Sequence, residues 1–303
     1  MQVNWKGVYP AVSTQFHADE SLNLNASQQM LDRLINEGVN GIIVCGTVGE
    51  NCSMSAAEKR QVLAAAKEAV NGRVPLISGV AETTTALAAQ YAKDAETIGI
   101  DGLMVLPGMV YRSAPHEAIH HLLQVAKNTA LPVMVYNNPV SYSVDISLDS
   151  MEILAKQPNI VAVKESTEDT RRITELYNRF GNRFTVFSGV DDIALESLML
   201  GATGWISGLT NVFPEESVAI YQLAAQGRYA EALEIWRWFL PLLRLDTIPT
   251  LVQCIKLAEQ LAGRGSETVR APRLALSGAE RQRVISLFEQ AMASRPDLRK
   301  FTL

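Results

Sequence analysis

Cysteine is scarce in this chain of 303 residues, and it offers no paired framework. The three cysteines are Cys45, Cys52 and Cys254, and no cluster of cysteine and histidine has the spacing of a zinc site. These absences argue against a disulfide scaffold and against a metal centre of the zinc type. We expect a protein of the reducing cytoplasm.

Long apolar runs and an excess of basic charge are missing as well. No hydrophobic stretch reaches the length that spans a membrane, and residues 1–6 do not combine a charged start with an apolar core. The net charge is −5 and the basic residues are scattered, so we expect neither a membrane nor a nucleic acid as partner. With 48% hydrophobic residues, the chain can still bury a large core.

The chain does contain a regular alternation of short β-rich runs and longer amphipathic segments. The pattern predicts eight strands, at residues 8–13, 41–45, 74–80, 102–106, 133–136, 160–164, 184–188 and 203–207. Helical patterns lie between them, for example at residues 56–70 and 84–98. Eight βα units in a row, with no G-x-G-x-x-G fingerprint after the first strand, favour a (β/α)8 TIM barrel over an open dinucleotide-binding sheet.

After Pro214 only helical patterns occur, at residues 215–225, 229–243, 250–262 and 278–293. The first of them can serve as the eighth barrel helix. We therefore predict a barrel over residues 1–225 and a C-terminal helical extension over residues 226–303 that packs on it. Trp236, Trp238 and Phe239 are interpreted as core or subunit-interface packing rather than as a cofactor site.

Lys164 is the most informative residue of the chain. It closes the apolar run at residues 160–163, and the low-dielectric surroundings of a buried strand disfavour its ammonium form. A neutral amine is a nucleophile at neutral pH. The alternative is a lysine at a strand end whose amine simply extends into water.

Small and polar residues also follow other predicted strands, where TIM barrels gather their chemistry. The backbone around Gly46 and Thr47 could hold a carboxylate, and the phenol of Tyr136 could shuttle protons. Asp191 and Asp192 could receive substrate hydroxyls. The structural alternatives are turn glycines, a threonine helix cap, a core tyrosine and acids that begin the next helix.

Four segments resemble the superfamily of dihydrodipicolinate synthase and N-acetylneuraminate lyase, which are Schiff-base-forming class I aldolases. The segments are Gly46-Thr47-Val48-Gly49-Glu50, Tyr136-Asn137-Asn138-Pro139, residues 161–166 and residues 187–191. Their order and spacing match, and the resemblance covers essentially the whole chain. It implies an enzyme that needs no metal and no organic cofactor, and a homotetramer built as a dimer of dimers.

The resemblance also implies roles for single residues. Lys164 would form an imine with a 2-oxo acid, Tyr136 would be the proton shuttle, and Thr47 with the backbone of Val48 would hold the carboxylate. The lyase shares a polar set that would bind a hydroxylated tail. The shared set is Thr167, Gly189, Asp191, Asp192 and Ser207, but Asn138 and Ser141 do not reproduce the lyase's tyrosine loop. The remaining expected substrate contacts are Gly46, Asn138 and Ile206.

Two departures argue against dihydrodipicolinate synthase itself. Val48 stands where the synthase has a second hydroxyl residue that links the catalytic tyrosine to a tyrosine of a neighbouring subunit, so that pathway is broken or rerouted. Ser141 stands where the synthase has an arginine for the second substrate's carboxylate. The neighbour's tyrosine is matched only by Tyr111, after a shift of one residue.

Residues 46–52 and 136–142 look most like the branch with 1-pyrroline-4-hydroxy-2-carboxylate deaminase, an enzyme of hydroxyproline degradation. The sequence leaves three alternatives open. They are a pyruvate-dependent aldolase of a sugar acid, dihydrodipicolinate synthase, and a catalytically silent protein that binds a keto acid. The presence of both Lys164 and Tyr136 argues against the silent protein.

Overall fold

A computed structural model describes residues 1, 3–108 and 111–301. Eight parallel strands form one sheet with the order β1-β8-β7-β6-β5-β4-β3-β2. They are β1 (Gly7–Pro10), β2 (Ile42–Val44), β3 (Leu76–Val80), β4 (Gly102–Val105), β5 (Val133–Asn137), β6 (Ile160–Glu165), β7 (Thr185–Ser188) and β8 (Gly204–Ser207). The predicted (β/α)8 TIM barrel is confirmed.

Contacts between β1 and β2 close the sheet into a barrel. Ala11 forms a parallel bridge to Ile43, and the backbone N–H of Val12 donates to the carbonyl of Ile43 at 2.8 Å. Strand residues are almost all buried, as expected when side chains fill the barrel and helices cover its outside. The first strand is shorter than predicted and ends at Pro10 rather than at residue 13. There the chain leaves the ladder, and the Ser13 hydroxyl donates to Glu259 of the C-terminal extension.

Helices connect the strands on the outside of the barrel. They are α1 (Leu24–Asn36), α2 (Ala56–Val70), α3 (Thr85–Ile98), α4 (Pro115–Lys127), the single turn α5 (Pro139–Tyr142), α6 (Leu148–Leu154), α7 (Arg171–Phe180), α8 (Ala194–Met199) and α9 (Pro214–Ala225). The bounds of α2 agree with the prediction. Its start is set by a capping box, in which the Ser55 hydroxyl accepts from the Glu58 N–H and the Glu58 carboxylate accepts from the Ser55 N–H.

The C-terminal extension contains α10 (Tyr229–Leu243), α11 (Leu251–Leu261) and α12 (Gly278–Ala293). Trp236 packs edge-on against Trp205 of β8 at 6.1 Å between ring centroids, and Phe239 packs on Phe213 at 5.6 Å. These rings belong to the same hydrophobic cluster as the barrel core. The core is therefore continuous across the predicted boundary after residue 225, and the division into two units stays a prediction. In the described part of the chain, no helix combines the length and apolar composition needed to cross a bilayer.

Candidate active site

Lys164 lies near the end of β6 with only 6% of its surface exposed. Strand pairing sets it beside Tyr136 of β5, and its Nζ lies 4.1 Å from the centroid of the Tyr136 ring. Burial lowers the pKa of the Lys164 amine, and the negative charges of Asp246 and Asp191 oppose that effect. The amine therefore does not extend into bulk water, which was the alternative interpretation.

Gly189 makes room for the lysine side chain. A Cβ atom built on Gly189 would lie 2.7 Å from both Cγ and Cε of Lys164, and 2.1 Å from the Ser166 hydroxyl oxygen. Its N–H donates to the Glu165 carbonyl at 2.8 Å, which fixes the backbone at this point. Any side chain here would push the amine out of position.

Tyr136 is buried beside Lys164 with its hydroxyl hydrogen-bonded. Asn138 Nδ2 donates to the Tyr136 hydroxyl oxygen at 3.1 Å. Burial raises the pKa of Tyr136 to about 12, although the Asn138 hydrogen bond opposes the shift. The phenol is therefore protonated near neutral pH, and it can donate a proton to an oxygen that forms beside the amine.

The loop after β2 brings Gly46, Thr47 and Val48 to the same opening of the barrel. Among the described residues, no group accepts a hydrogen bond from the backbone N–H of Thr47 or of Val48. Both donors therefore remain available to a bound molecule. The Thr47 hydroxyl is hydrogen-bonded to the Tyr142 hydroxyl, and Ser55 rather than Thr47 caps α2. The helix-cap interpretation of Thr47 is wrong, and its hydroxyl faces the opening.

A buried ion pair attaches this loop to the C-terminal extension. Lys256 Nζ lies 2.9 Å from Glu50 Oε1 and also donates to the Thr14 carbonyl, and both charged side chains are fully buried. Removing either charge would leave the other buried without its closest partner, although Arg273 also lies 4.0 Å from Glu50. The pair therefore holds the residues after β2 against α11.

These elements enclose a cavity of about 500 Å³. Eight of the predicted site residues line it, namely Gly46, Thr47, Val48, Tyr136, Asn138, Lys164, Gly189 and Ile206. The buried Ser166 hydroxyl also lines it and has no hydrogen-bond partner within the described residues. The cavity thus combines an amine, a phenol, free backbone donors and a free hydroxyl in a space that suits a small polar molecule.

Four predicted substrate contacts do not line the cavity: Thr167, Asp191, Asp192 and Ser207. Asp191 is fully buried and accepts from Trp205 Nε1 at 2.9 Å and from the Leu209 N–H at 3.0 Å. The Ser207 hydroxyl accepts from the Thr210 N–H. Asp192 lies 3.9 Å from the Arg244 guanidinium.

Thr167 has a buried hydroxyl with no partner in the described chain. Asp191 and Ser207 thus make hydrogen bonds within the protein, and their role as substrate contacts stays a prediction.

Other lining residues were not predicted from the sequence. Tyr142 and Ser141 belong to α5, Glu168 follows β6, and Asp246 with residues 247–249 comes from the turn between α10 and α11. The Tyr142 ring lies edge-on to the Tyr136 ring at 5.7 Å. Ser141 was already singled out as a departure from the synthase, and of the others only Tyr142, at the end of the motif at residues 136–142, could have been noticed in advance.

The two residues that differ from dihydrodipicolinate synthase, Val48 and Ser141, both line the cavity. Val48 is buried at its wall, and Ser141 is exposed at its entrance. Among the described lining residues there is no arginine. Tyr111 is exposed and lines a different cavity with Ser113 and His116, while Met109 and Val110 of its loop lie outside the described residues.

No group of three or more histidine, cysteine, aspartate or glutamate side chains within the described residues could hold a metal ion. The titratable groups of the cavity instead influence each other. Burial raises the pKa of Asp246 well above its usual range, while it lowers that of Lys164. Burial thus favours the uncharged form of both groups, and shifts of this kind are common among groups at catalytic sites.

Comparison with known proteins agrees with this geometry. A model of the dihydrodipicolinate synthetase family matches residues 4–291. The chain is 30% identical over 280 residues to 4-hydroxy-tetrahydrodipicolinate synthase 1 of Halalkalibacterium halodurans, a match that covers 92% of this chain and 95% of that protein. It is 32% identical over 273 residues to the probable 2-dehydro-3-deoxy-D-pentonate aldolase YjhH of Escherichia coli (strain K12), with 88% and 91% covered.

A solved structure is similar over nearly the whole fold. It is YagE, a prophage protein of the dihydrodipicolinic acid synthase family from E. coli K12 in complex with pyruvate. The TM-score is 0.90 at 28% identity, with 96% of this chain and 99% of that chain covered. The relatives include the synthase that the sequence disfavoured and an aldolase, and they do not support the deaminase branch.

Proposed function

The chain belongs to the dihydrodipicolinate synthetase family, whose members are class I Schiff-base lyases, and we propose that Lys164 is the residue that forms the Schiff base. The observation that carries this proposal is the desolvated amine against the Tyr136 ring, at 4.1 Å, in a cavity with free backbone donors. A lysine that is neutral near physiological pH can attack a carbonyl or imine carbon.

The cavity residues divide the work as follows. The N–H groups of Thr47 and Val48 bind the substrate carboxylate, which sets carbon 2 at Lys164 Nζ. The Tyr136 phenol donates a proton to the oxygen or nitrogen that leaves carbon 2. Tyr136 must then regain a proton. The hydroxyls of Tyr142 and Thr47, which are hydrogen-bonded to each other, provide the path by which that proton arrives. The path needs no hydroxyl at Val48.

We propose 1-pyrroline-4-hydroxy-2-carboxylate as substrate. Lys164 adds to carbon 2 of this cyclic imine, and the ring nitrogen leaves as an amine. Loss of a proton from carbon 3 gives an enamine, which expels the hydroxyl of carbon 4 as water. After tautomerisation, two water molecules hydrolyse both imines to ammonia and 2-oxoglutarate semialdehyde, so one water is consumed overall. The single carboxylate of this substrate suits a cavity that has no arginine among its described lining residues.

A sugar-acid aldolase is the second candidate. The relative named as a probable 2-dehydro-3-deoxy-D-pentonate aldolase and the YagE complex with pyruvate favour it. The same enamine would then form by cleavage of the bond between carbons 3 and 4, and pyruvate would be released. 4-Hydroxy-tetrahydrodipicolinate synthase activity remains a third candidate because a relative carries that name.

Borohydride trapping tests the Schiff base directly. The protein is incubated with pyruvate or with the pyrroline carboxylate, reduced, digested and analysed by mass spectrometry. We expect an adduct on Lys164 and none in Lys164→Arg, with Lys156→Arg as a matched control on the surface. A protein that binds pyruvate yet forms no adduct would be the silent binder.

Product assays separate the candidate substrates. Ammonia release from the pyrroline carboxylate indicates the deaminase, and pyruvate release from the deoxy sugar acid indicates the aldolase. Condensation of pyruvate with aspartate semialdehyde would indicate the synthase and would refute the argument from Val48 and Ser141. Light scattering after size exclusion checks the expected homotetramer.

A further inference from the structure

Asp246 comes from the C-terminal extension and faces the barrel's cavity. It lies in the short turn Arg244–Thr247 between α10 and α11 and lines the cavity together with Lys164 and Tyr136. Its carboxyl packs directly over the end of β8, since a Cβ built on Gly208 would lie 2.5 Å from Asp246 Oδ1. The glycine lets the carboxyl reach the opening of the barrel.

The surroundings of Asp246 differ from those of the neighbouring Asp191. Asp191 accepts hydrogen bonds from Trp205 and from the backbone of Leu209. Among the described residues, none donates a hydrogen bond to the Asp246 carboxyl, and none forms an ion pair with it. A carboxyl that faces a cavity without a protein partner is available to a bound molecule.

Several charged and titratable groups face Asp246 from the packed elements. They are Lys164 on β6, Tyr136 on β5, and Asp191 and Asp192 after β7, and Arg244 of the same turn lies 3.9 Å from Asp192. Burial raises the pKa of Asp246 well above its usual range, the negative charge of Asp191 adds to the shift, and the positive charge of Lys164 opposes it. Asp246 is half-buried, so its carboxyl holds its proton more firmly than an ordinary aspartate while both of its protonation states stay accessible to a bound molecule.

The position of Tyr136 limits which substrate atoms can exchange a proton with its hydroxyl. Its ring lies against Lys164, so its hydroxyl serves the atoms next to the imine. With a pKa of about 12 it is also a weaker acid than a carboxyl group. A second acid that lines the same cavity from another element would serve the atoms farther along the substrate.

We propose that Asp246 is the catalytic acid–base residue for the oxygen on carbon 4 of the substrate. This inference rests on the proposed Schiff-base function. In the dehydration, the nitrogen lone pair of the enamine reforms the C2–N double bond. The π electrons of the C2–C3 double bond then form a double bond between C3 and C4. The C4–O bond then breaks, and the oxygen takes the Asp246 proton and leaves as water. In an aldol cleavage the carboxylate takes the proton of the same hydroxyl while the C3–C4 bond breaks.

The role does not depend on which candidate substrate is correct, because both carry a hydroxyl on carbon 4. It also gives the C-terminal extension a part in the reaction: the acid is supplied by the turn between α10 and α11 and the nucleophile by the barrel.

The test compares Asp246→Asn, Asp246→Glu and wild type in two assays. The first is borohydride trapping with pyruvate, which has no carbon 4. The second is turnover of 1-pyrroline-4-hydroxy-2-carboxylate and of 2-dehydro-3-deoxy-D-pentonate across pH. Asp32→Asn is the control, because Asp32 is exposed on α1 and pairs with Arg73.

We expect Asp246→Asn to keep the Lys164 adduct and to lose about 10²- to 10⁴-fold in turnover, the usual contribution of a general acid. With the pyrroline carboxylate, where Asp246 acts as an acid, the variant should lose the fall of kcat at high pH, and with the deoxy sugar acid, where it acts as a base, the fall at low pH. Asp246→Glu should recover part of the rate. Turnover of Asp246→Asn close to wild type, or loss of its adduct together with turnover, would overturn the inference. A wild type that forms the adduct but turns over neither substrate would overturn this inference alone. A wild type with no adduct would overturn the proposed function as well.

Discussion

Substitution of Gly189 by alanine tests the position of the lysine with the smallest chemical change. The added methyl group would lie 2.7 Å from Cγ and Cε of Lys164. Carbon atoms pack at about 3.5 to 4.0 Å, so the lysine side chain must move by roughly 1 Å. The Ser166 hydroxyl, 2.1 Å from the built atom, must rotate away as well.

The expected cost follows from this displacement. A misplacement of about 1 Å lowers a rate by on the order of 10²-fold, which corresponds to about 2.7 kcal/mol in the activation free energy. The loss should appear in the rate of imine formation, because the nucleophile itself is displaced. The backbone of residue 189 is not in the left-handed region, so alanine adds no backbone strain.

The assay is the rate of the borohydride-trapped adduct with pyruvate at saturation, measured beside the circular dichroism of the variant. Gly227→Ala is the control, since Gly227 has φ +73° and nothing lies within 4 Å of its built Cβ. That variant should lose about 1 kcal/mol of stability and keep the wild-type rate. A folded Gly189→Ala protein that forms the adduct as fast as wild type would refute the geometry assigned to Lys164.

Three further predictions concern the surroundings of the cavity. Thr47→Val and Tyr142→Phe should each slow turnover about 10-fold. The double variant should be no slower than either single variant, because both substitutions break the same hydrogen bond between the two hydroxyls. Additive losses would contradict a proton path that uses both hydroxyls. Lys256→Met should reduce the free energy of unfolding by about 3 to 5 kcal/mol, because it leaves Glu50 buried without its partner. Adding Glu50→Gln should recover part of that loss in urea denaturation, and an unchanged midpoint for the single variant would contradict the ion pair. Burial raises the pKa of Glu259 from 4.5 to about 7 in the folded protein. The protonated Glu259 therefore stabilises the fold fully below the pKa that it has in the unfolded chain, and this stabilisation is lost as the pH rises through 7. Relative to Glu259→Gln, wild type should therefore lose roughly 2 to 3 kcal/mol between about pH 5 and about pH 8; a gain would show the opposite sign.

The sequence by itself determined the barrel and the position of Lys164 near the end of a buried strand. Strand and helix periodicity depends on local burial, so eight strands and the bounds of α2, α10 and α12 could be predicted from neighbouring residues alone. A lysine at the end of an apolar strand in a parallel barrel must lie at the edge where the loops gather. Tyr136 could be predicted in the same way, since it lies on the adjacent strand.

The tertiary structure decided which polar side chains face the cavity. Ser207 ends β8 and Asp191 comes soon after β7, at the same ends of the strands as Lys164 on β6. Their oxygens nevertheless bond to Trp205, Leu209 and Thr210. Asp246 lies far along the chain between two helices, where a turn residue has no local signal of function. It reaches the cavity because α10 and α11 pack on the barrel and Gly208 leaves space for its carboxyl. Contacts between distant segments, which no local pattern encodes, bring this carboxyl to the cavity that Lys164 lines.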